Sequence, residues 1–426
     1  MVAVFCITLF SGSLAITVLP DQKYSDLENR QLQQKPKLTK KNFTKGTFQT
    51  EYENYLNDQF PLRDRWVDAA VALQTKLGKK DINGVYIGKK GYLLEKNDTE
   101  QLDKQQVKEN VDTLTSFLND MEKEYGKRHV SCMMVPSKTL AMSDYLPSYV
   151  SAQEPKDVLD SIQKGLNDPK ILLNLKDTMQ KHQKEYIYYR TDHHWTTLGA
   201  FYAYQEWAKR TGQAKEYPIK HYQQEKVFDD FYGTTYNKVH VAVPKDEVVL
   251  FHNTKDTQKI HINMDQGEVK ADTLYFPKAA KKGFNRYDVF LSKNTFQMEI
   301  TTKAKTGKTL LLIKDSFANC FVPFLTESYD HIILIDYRYG KTPIGTIQSE
   351  YSDITDVLVL FNTEKFMQNT KLSKLARTKK EEKTQHLYHK IRKKVRRNPS
   401  GSPLLRPLLH PTQRQTRPDR SFLRSV

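Results

Sequence analysis

Residues 309–318 read TLLLIKDSFA, and the fold class can be argued from them. The run from Thr309 to Ile313 is short and apolar and is followed at once by polar residues, which predicts a strand buried on both faces. A helix is predicted from Ser316 to Thr326, directly after that strand. A buried strand that turns straight into a helix is the repeating unit of an α/β domain.

The same alternation extends on both sides of this stretch. Apolar strands are predicted at residues 129–135, 186–189, 332–335 and 357–361, and helices at residues 101–125, 171–184 and 195–210. This pattern predicts an α/β fold in which a parallel sheet is covered by helices on both faces. Residues 215–300 contain only short β-like runs and are predicted to be a mixed β insertion.

The N-terminal residues 2–19 carry no charge. This length is close to the ~20 residues that a membrane-spanning helix requires. We expect a signal anchor in residues 1–19 that holds the protein at the extracytoplasmic face of the cell membrane. A cleaved signal peptide is the alternative, because residues 13–15 fit a small-x-small cleavage pattern. Residues 20–48 are predicted to be an extended tether, and residues 49–370 the folded domain.

The formal net charge of +17 is concentrated at the C-terminal end. Residues 371–426 contain 17 Lys and Arg against 3 Asp and Glu, so only +3 remains for the preceding 370 residues. This tail has frequent Pro and no apolar periodicity, which predicts a basic, disordered segment. Because the body is nearly neutral, we do not expect nucleic acid to be a partner.

Residues 191–196, with the sequence TDHHWT, are the first group with catalytic chemistry. They follow the predicted strand at 186–189, and functional groups collect at the ends of strands in α/β sheets. Asp192 can hydrogen-bond the imidazole of His194 and stabilise its protonated form. The alternative is that Asp192 caps the next helix beside a hydrogen-bonded His.

A metal site in the same run is a further alternative, because Asp192, His193 and His194 are three adjacent ligands. We do not expect it, since adjacent residues project in different directions and no H-x-x-x-H pair is present. The three cysteines match no metal or redox spacing either. No metal and no cofactor are therefore expected.

Ser316 is the second group with catalytic chemistry, because it follows a strand and begins a predicted helix. At such a position the hydroxyl is exposed and a backbone N–H can stabilise an oxyanion. The alternative is that Asp315 and Ser316 only cap a helix. A serine needs a base to become nucleophilic, and His194 held by Asp192 is the candidate base.

Residues 188–200, with the sequence YYRTDHHWTTLGA, resemble the signature of the DHHW protein family of Gram-positive bacteria. Segments at residues 60–64, 85–88, 135–138, 314–317 and 335–339 agree with this resemblance. The family is similar to the SGNH-hydrolase-like domain of the alginate O-acetylation proteins AlgX and AlgJ. The resemblance implies an SGNH-hydrolase-like, flavodoxin-like parallel sheet within residues 20–370. It also implies a permuted order, because Asp192 and His194 precede Ser316.

The resemblance implies a role for each matching position. Ser316 corresponds to the nucleophile that carries an acyl group, His194 to its base and Asp192 to the residue that orients the base. His193 occupies the variable middle position of the motif and is expected to be secondary.

Three further residues are candidates for binding the substrate or the oxyanion. Asn294 is the candidate oxyanion donor, although the Gly that SGNH enzymes also use is missing and Asn is equally typical of turns. Lys138 and Arg338 are candidates for holding an anionic substrate, with structural ion pairs as the alternative.

Together these roles predict an extracytoplasmic O-acetyltransferase or acetylesterase that acts on a cell-wall or exported polysaccharide. The resemblance implies a membrane-bound O-acyltransferase as acetyl supplier, and the apolar N-terminus implies attachment to the membrane. The alternative is a catalytically inactive SGNH scaffold that binds polysaccharide. The distance between Ser316 and His194 separates the two, because a nucleophile must lie within hydrogen-bond reach of its base.

Overall fold

The computed structural model describes residues 2–25, 30–96, 102–253, 260–264, 269–282, 285–292 and 294–376. The strands are β1 Tyr24–Ser25, β2 Arg30–Gln31, β3 Asp81–Ile82, β4 Val85–Ile87, β5 Leu93–Glu95, β6 Val130–Val135, β7 Leu172–Asn174, β8 Tyr222–Phe231, β9 Asp246–Asn253, β10 His261–Met264, β11 Val269–Ala271, β12 Gln297–Thr301, β13 Thr309–Lys314, β14 His331–Ile335 and β15 Asp356–Asn362. The helices are α1 Val2–Val18, α2 Lys40–Thr44, α3 Thr47–Asp58, α4 Arg63–Lys76, α5 Lys104–Tyr125, α6 Lys138–Ala141, α7 Lys156–Gly165, α8 Lys176–Lys181, α9 Thr197–Thr211, α10 Pro277–Lys282, α11 Ile344–Glu350 and α12 Thr363–Met367.

An eight-stranded sheet organises the domain, with the order β11-β10-β12-β14-β13-β15-β6-β7. Neighbouring strands from β14 to β7 in this order all pair in parallel. On the other side β12, β10 and β11 extend the sheet in antiparallel pairing. The region predicted as a mixed β insertion therefore contributes strands to the main sheet and also forms the separate ribbon β8–β9.

The central strand β13 is buried along its whole length. Leu310 and Leu312 pack into one apolar cluster together with α9, and Leu311 and Ile313 pack into a second cluster together with α5. Successive side chains of a strand point to opposite faces, so the two clusters lie on the two faces of the sheet. The predicted α/β fold with helices on both faces is confirmed.

The predicted strand at residues 186–189 is wrong. Only Tyr188 pairs there, through an isolated antiparallel bridge to Trp195. The backbone N–H of Tyr189 donates to the carbonyl of His194 at 3.2 Å, so the chain turns back on itself instead of joining the sheet. Asp192, His193 and His194 are therefore carried by a closed loop and not by the end of a sheet strand.

Two predicted helices are also wrong in part. Leu172–Asn174 pairs with β6 as an edge strand, because the buried backbone of β6 needs partners on that side. Only Lys176–Lys181 of the predicted helix at 171–184 is helical. The segment after β13 forms two 3₁₀ turns, Ser316–Cys320 and Val322–Leu325, since Pro323 has no N–H to continue an α-helix.

The segment predicted as an extended tether contains regular structure. Within residues 20–48, β1 and β2 form an antiparallel pair, and α2 begins after the capping residue Thr39. Leu32 is buried beside them. The preceding apolar helix is Val2–Val18, and no helix among the described residues is long and apolar enough to cross a membrane.

The folded domain continues beyond residue 370, where the basic tail was predicted to begin. Leu372 and Leu375 are fully buried and belong to the same apolar cluster as α5. The domain therefore extends to about residue 376. The remaining part of the predicted disordered tail, residues 377–426, lies outside the described residues.

Asn110 on α5 generates a prediction about stability. Its Nδ2 donates to the carbonyls of Phe366 and Asn369 at 3.0 and 2.8 Å, in the buried core. An Asn110→Ala substitution removes the donor from both carbonyls, so the free energy of unfolding should fall by about 1–3 kcal/mol. Urea denaturation measures this change. The control Gln105→Ala, at an exposed position of α5, should stay within about 0.5 kcal/mol of the parent; equal stability of the two variants would contradict the prediction.

Candidate active site

The loop of residues 189–194 carries the conspicuous Asp-His-His sequence. The pairing of Tyr188 with Trp195 closes its base. The indole Nε1 of Trp195 donates to the carbonyl of Phe317 at 2.9 Å. This bond ties the loop to the turn that follows β13, although the two segments are 122 positions apart in the sequence.

The buried ammonium group of Lys138 holds this loop through its carbonyl groups. Its Nζ donates to the carbonyls of Tyr189, Arg190 and Asp192 at 3.2, 3.1 and 2.7 Å. Burial lowers the pKa of Lys138 to about 8. Lys138 does not line the cavity described below, so the structure does not place it as the substrate-holding residue that the sequence suggested. Its three donors bind backbone carbonyls, so Lys138 forms no ion pair among the residues that the structure describes.

Asp246, the first residue of β9, holds the N–H groups of the same loop. Its carboxylate accepts from the backbone N–H of Arg190 at 2.8 Å and of Thr191 at 2.7 Å. The hydroxyl of Thr191 donates to it as well, at 2.5 Å. Asp246 is fully buried, and burial raises its pKa. Nothing in the sequence pointed to it, because a single Asp at the start of a strand matches no motif.

The three residues that the family resemblance implied lie in one hydrogen-bonded row. The Nδ1 of His194 is 2.6 Å from Oδ1 of Asp192, and its Nε2 is 2.8 Å from Oγ of Ser316. All three side chains are buried. Burial acts to raise the pKa of Asp192, but His193, His194 and the hydrogen bonds from His194 hold it well below the usual range. An ionised carboxylate in this position fixes the imidazole and stabilises its protonated form.

The second oxygen of Asp192 is held by residues that the sequence analysis missed. Oδ2 accepts from the backbone N–H and the hydroxyl of Thr234 at 2.8 and 2.9 Å. Gly233 passes so close that a Cβ at this position would overlap the Cβ of Asp192. A glycine is therefore required there. These residues lie 42 positions after the loop and carry no motif of their own.

Tyr287 fixes the plane of the imidazole. Its ring stacks on His194 with centroids 3.9 Å apart and an interplanar angle of 8°. Its hydroxyl donates to the carbonyl of Ser316 at 3.0 Å. Burial holds the pKa of Tyr287 well above its usual value, so the hydroxyl remains a donor. Sequence reasoning missed this residue too, because an isolated Tyr in a Tyr-rich chain gives no signal.

Ser316 does not serve as the cap of its own turn. That role belongs to Asp315, whose carboxylate accepts from the N–H of Phe317 at 2.9 Å and from the N–H of Asn362 at 2.8 Å. The hydroxyl of Ser316 is therefore available to His194. The alternative in which Asp315 and Ser316 only cap a helix therefore applies to Asp315 and not to Ser316.

His193 lies beside the row and not in it. Its Nδ1 is 2.6 Å from Oγ1 of Thr234. Burial lowers the pKa of His193 to about 3, and the neighbouring His194 contributes to the same shift. The ligand atoms of Asp192, His193 and His194 lie within 4.8 Å of one another. Both nitrogens of His194 already bind Asp192 and Ser316, so a metal ion there would break the hydrogen bonds that define the site.

A cavity of about 490 Å³ opens beside Ser316 and His194. Two of the predicted binding residues, Asn294 and Arg338, line its wall. The guanidinium of Arg338 is bound to Asp336, with Nε–Oδ1 and Nη2–Oδ2 distances of 2.9 and 2.6 Å. Arg338 therefore forms the structural ion pair that was its alternative role, while still facing the cavity.

Asn294 belongs to a small polar cluster at the edge of the cavity. Its Oδ1 accepts from Nδ2 of Asn319 at 3.1 Å and lies 3.5 Å from Nζ of Lys314. Lys314 also donates to Oδ1 of Asn319 at 2.6 Å. Burial lowers the pKa of Lys314 to about 8, partly opposed by Asp336. The cluster brings amide and ammonium groups to the turn that carries Ser316.

Comparison with known proteins agrees with this architecture. A model of the DHHW protein family matches residues 107–335, which is more than half of the chain. No curated protein matches the sequence. The structure is similar to that of a DHHW family protein from Eubacterium siraeum DSM 15702, with a TM-score of 0.55 and 23% identity over 69% of this chain and 95% of that chain.

The structure is also similar to that of Bacillus cereus PatB1. The TM-score is 0.55 and the identity 20%, over 67% of this chain and 99% of that chain. A second structure of PatB1, which carries a sulfonyl adduct, has a TM-score of 0.54 and 21% identity over 66% of this chain and 95% of that chain. The shared fold is the SGNH-hydrolase-like α/β fold that the sequence predicted.

The close approach of Gly233 to Asp192 predicts a reactivity change. A Gly233→Ala substitution must displace Asp192, and a displacement of about 1 Å costs on the order of 100-fold in rate. The rate at which a sulfonyl fluoride modifies Ser316 measures its activation by His194. Thr234→Ser, which keeps both donors to Asp192, should react within about threefold of the parent. Equal rates for all three proteins would exclude a role for this contact.

Proposed function

Because this chain belongs to the DHHW protein family, we propose that it is a carbohydrate O-acetyltransferase or acetylesterase that uses Ser316, His194 and Asp192. The observation that carries the proposal is the 2.8 Å separation between Oγ of Ser316 and Nε2 of His194. A silent binding scaffold has no need for that contact, nor for the 2.6 Å contact between His194 and Asp192. The geometry therefore supports catalysis over the binding-only alternative.

The first half of the reaction forms an acyl-enzyme. Oγ of Ser316 attacks the carbonyl carbon of an acetyl donor while its proton passes to Nε2 of His194. The bond between the carbonyl carbon and the donor's leaving oxygen then breaks, and that oxygen takes the proton from His194. Asp192 stays ionised throughout and stabilises the imidazolium that forms between the two steps.

The second half returns the enzyme to its starting state. A sugar hydroxyl enters the cavity, gives its proton to His194 and attacks the acetyl-serine carbonyl. The ester to Ser316 breaks, and Oγ recovers the proton. Water in place of the sugar gives hydrolysis, so the same residues support an esterase. Which reaction dominates depends on how well the cavity excludes water and binds the acceptor.

Two groups are suited to stabilise the negative charge that develops on the carbonyl oxygen. The first is the backbone N–H of the 3₁₀ turn that begins at Ser316. The second is the polar cluster of Asn294, Asn319 and Lys314, in which a buried cation is bound to two amide groups. We propose that this cluster takes the role that a Gly and an Asn have in other SGNH enzymes.

The substrate and the location rest on the family resemblance and on the N-terminal sequence. A glycan acceptor fits a cavity that is lined by residues with polar side chains, Asn294, Asn285 and Thr370 among them, which can hydrogen-bond sugar hydroxyls. We propose that the acetyl group is supplied by a membrane-bound O-acyltransferase and that the protein acts at the extracytoplasmic face of the cell membrane, on a cell-wall or exported polysaccharide.

Removal of the nucleophile tests the proposal directly. Ser316→Ala should lower hydrolysis of a chromogenic acetyl ester on the order of 10³-fold or more. Asp192→Asn should lower it about 10²–10⁴-fold, because His194 then loses its ionised partner. The control Ser349→Ala, at an exposed serine of α11, should leave the rate unchanged. A Ser316→Ala protein with full activity would exclude the serine mechanism.

Mass spectrometry of the protein after brief incubation with the ester provides a second measurement. One acetyl group should be found on the peptide that contains Ser316, and it should transfer to an added oligosaccharide or to water. Binding of the oligosaccharide without any acetylation of Ser316 would support the inactive scaffold instead.

A further inference from the structure

Helix α4 is apolar on two opposite faces. Its inner face packs through Val67 and Val71 into a small apolar cluster with β3, β4 and β5. The opposite face is also apolar, yet it is exposed to solvent. We refer to Leu62, Trp66, Leu73 and Leu77 as the outer face of α4; their exposed fractions are 65%, 58%, 59% and 77%. Their spacing of four, seven and four residues places them on one side of a helix.

Basic residues flank this outer face. Arg65 and Lys76 on α4, and Lys79 and Lys80 directly after it, are exposed. Asp68 lies on α4 as well, but its carboxylate is 3.4 Å from the imidazole of His240 on the side that faces the protein. A strip of large apolar side chains with Lys and Arg at its borders is typical of helices that lie in a membrane interface.

The apolar helix α1 contacts the segment that directly precedes α4. The ring of Phe60, just before α4, lies against Gly12 of α1. On α1 itself Phe10, Leu14 and Val18 are exposed by 72%, 66% and 71%, at intervals of four residues. Soluble monomers rarely expose apolar side chains in such contiguous groups, so this surface requires an occupant.

We propose that the outer face of α4 lies on an anionic lipid bilayer, parallel to its surface and without crossing it. The apolar side chains would enter the boundary between headgroups and acyl chains, where Trp66 is well suited because indole rings favour that region. Arg65, Lys76 and the two following lysines would contact anionic headgroups. The proposal does not depend on the proposed catalytic function.

Trp66 offers a local probe of this contact. The chain has three tryptophans, and the other two, Trp195 and Trp207, are fully buried. Fluorescence of the full chain would be recorded with vesicles of phosphatidylcholine and phosphatidylglycerol, with and without bromine on the acyl chains. The emission should shift to shorter wavelength with vesicles and be quenched by the brominated lipid. Both effects should disappear in Trp66→Phe.

Variants of the outer face separate its contribution from that of α1, which is apolar in its own right. With Leu73→Ser and Leu77→Ser together, the lipid concentration for half-maximal quenching of Trp66 should rise about tenfold or more. With Arg65→Gln and Lys76→Gln, it should rise on phosphatidylglycerol vesicles but not on pure phosphatidylcholine. The control Ile219→Ser, at an exposed apolar position elsewhere, should behave as the parent.

Two results would overturn the proposal. One is Trp66 that remains fully quenchable by aqueous iodide in the presence of vesicles. The other is an emission shift that depends on protein concentration and occurs without lipid, which would make a second copy of the chain the occupant. Hydrolysis of the acetyl ester by the α4 variants should equal that of the parent, so this proposal and the proposed function can fail independently.

Discussion

A buried loop has no strand or helix to pair its backbone, so its polar groups must find partners elsewhere. In the loop of residues 189–194 those partners are two buried charges. Lys138 donates to three carbonyls and Asp246 accepts from two N–H groups. Burial disfavours the charged form of each group, because it lowers the pKa of Lys138 to about 8 and raises that of Asp246. The hydrogen bonds to the loop offset this desolvation cost, and they hold the loop in one defined conformation.

That conformation fixes the chemistry, because Asp192 is part of the loop. One oxygen of Asp192 binds His194 and the other binds Thr234, so the carboxylate cannot rotate without losing hydrogen bonds. Tyr287 then limits the tilt of the imidazole by stacking on it. The hydroxyl of Ser316 meets His194 only because all these segments are held in place separately. Positioning of this kind supplies a large part of a catalytic rate enhancement.

The sequence predicted the parallel sheet and the candidate residues Asp192, His194 and Ser316 better than it predicted the residues that support them. Buried strands such as β13 can be predicted because each is a continuous apolar run in the sequence. Asp192, His194 and Ser316 can be identified because they stand in recognisable motifs. The roles of Gly233 and Tyr287 cannot be predicted from the sequence, because they arise from contacts between distant segments and because Gly and Tyr each occur at many positions of this chain. The predicted strand at 186–189 failed for the same reason: the hydrogen bonds of the loop, and not its β-forming residues, determine its path.

The candidate active site and the outer face of α4 are connected by the small sheet β3–β5. Val71 of α4 shares an apolar cluster with Leu93 of β5, and the N–H of Leu93 donates to the carbonyl of Arg190 in the site loop at 2.9 Å. With α4 on a bilayer, this chain of contacts would hold the site at a fixed height and orientation above the lipid. A bilayer contact of this kind would therefore act on which acetyl donors and glycans can reach Ser316, while the intrinsic reactivity of the serine stays the same.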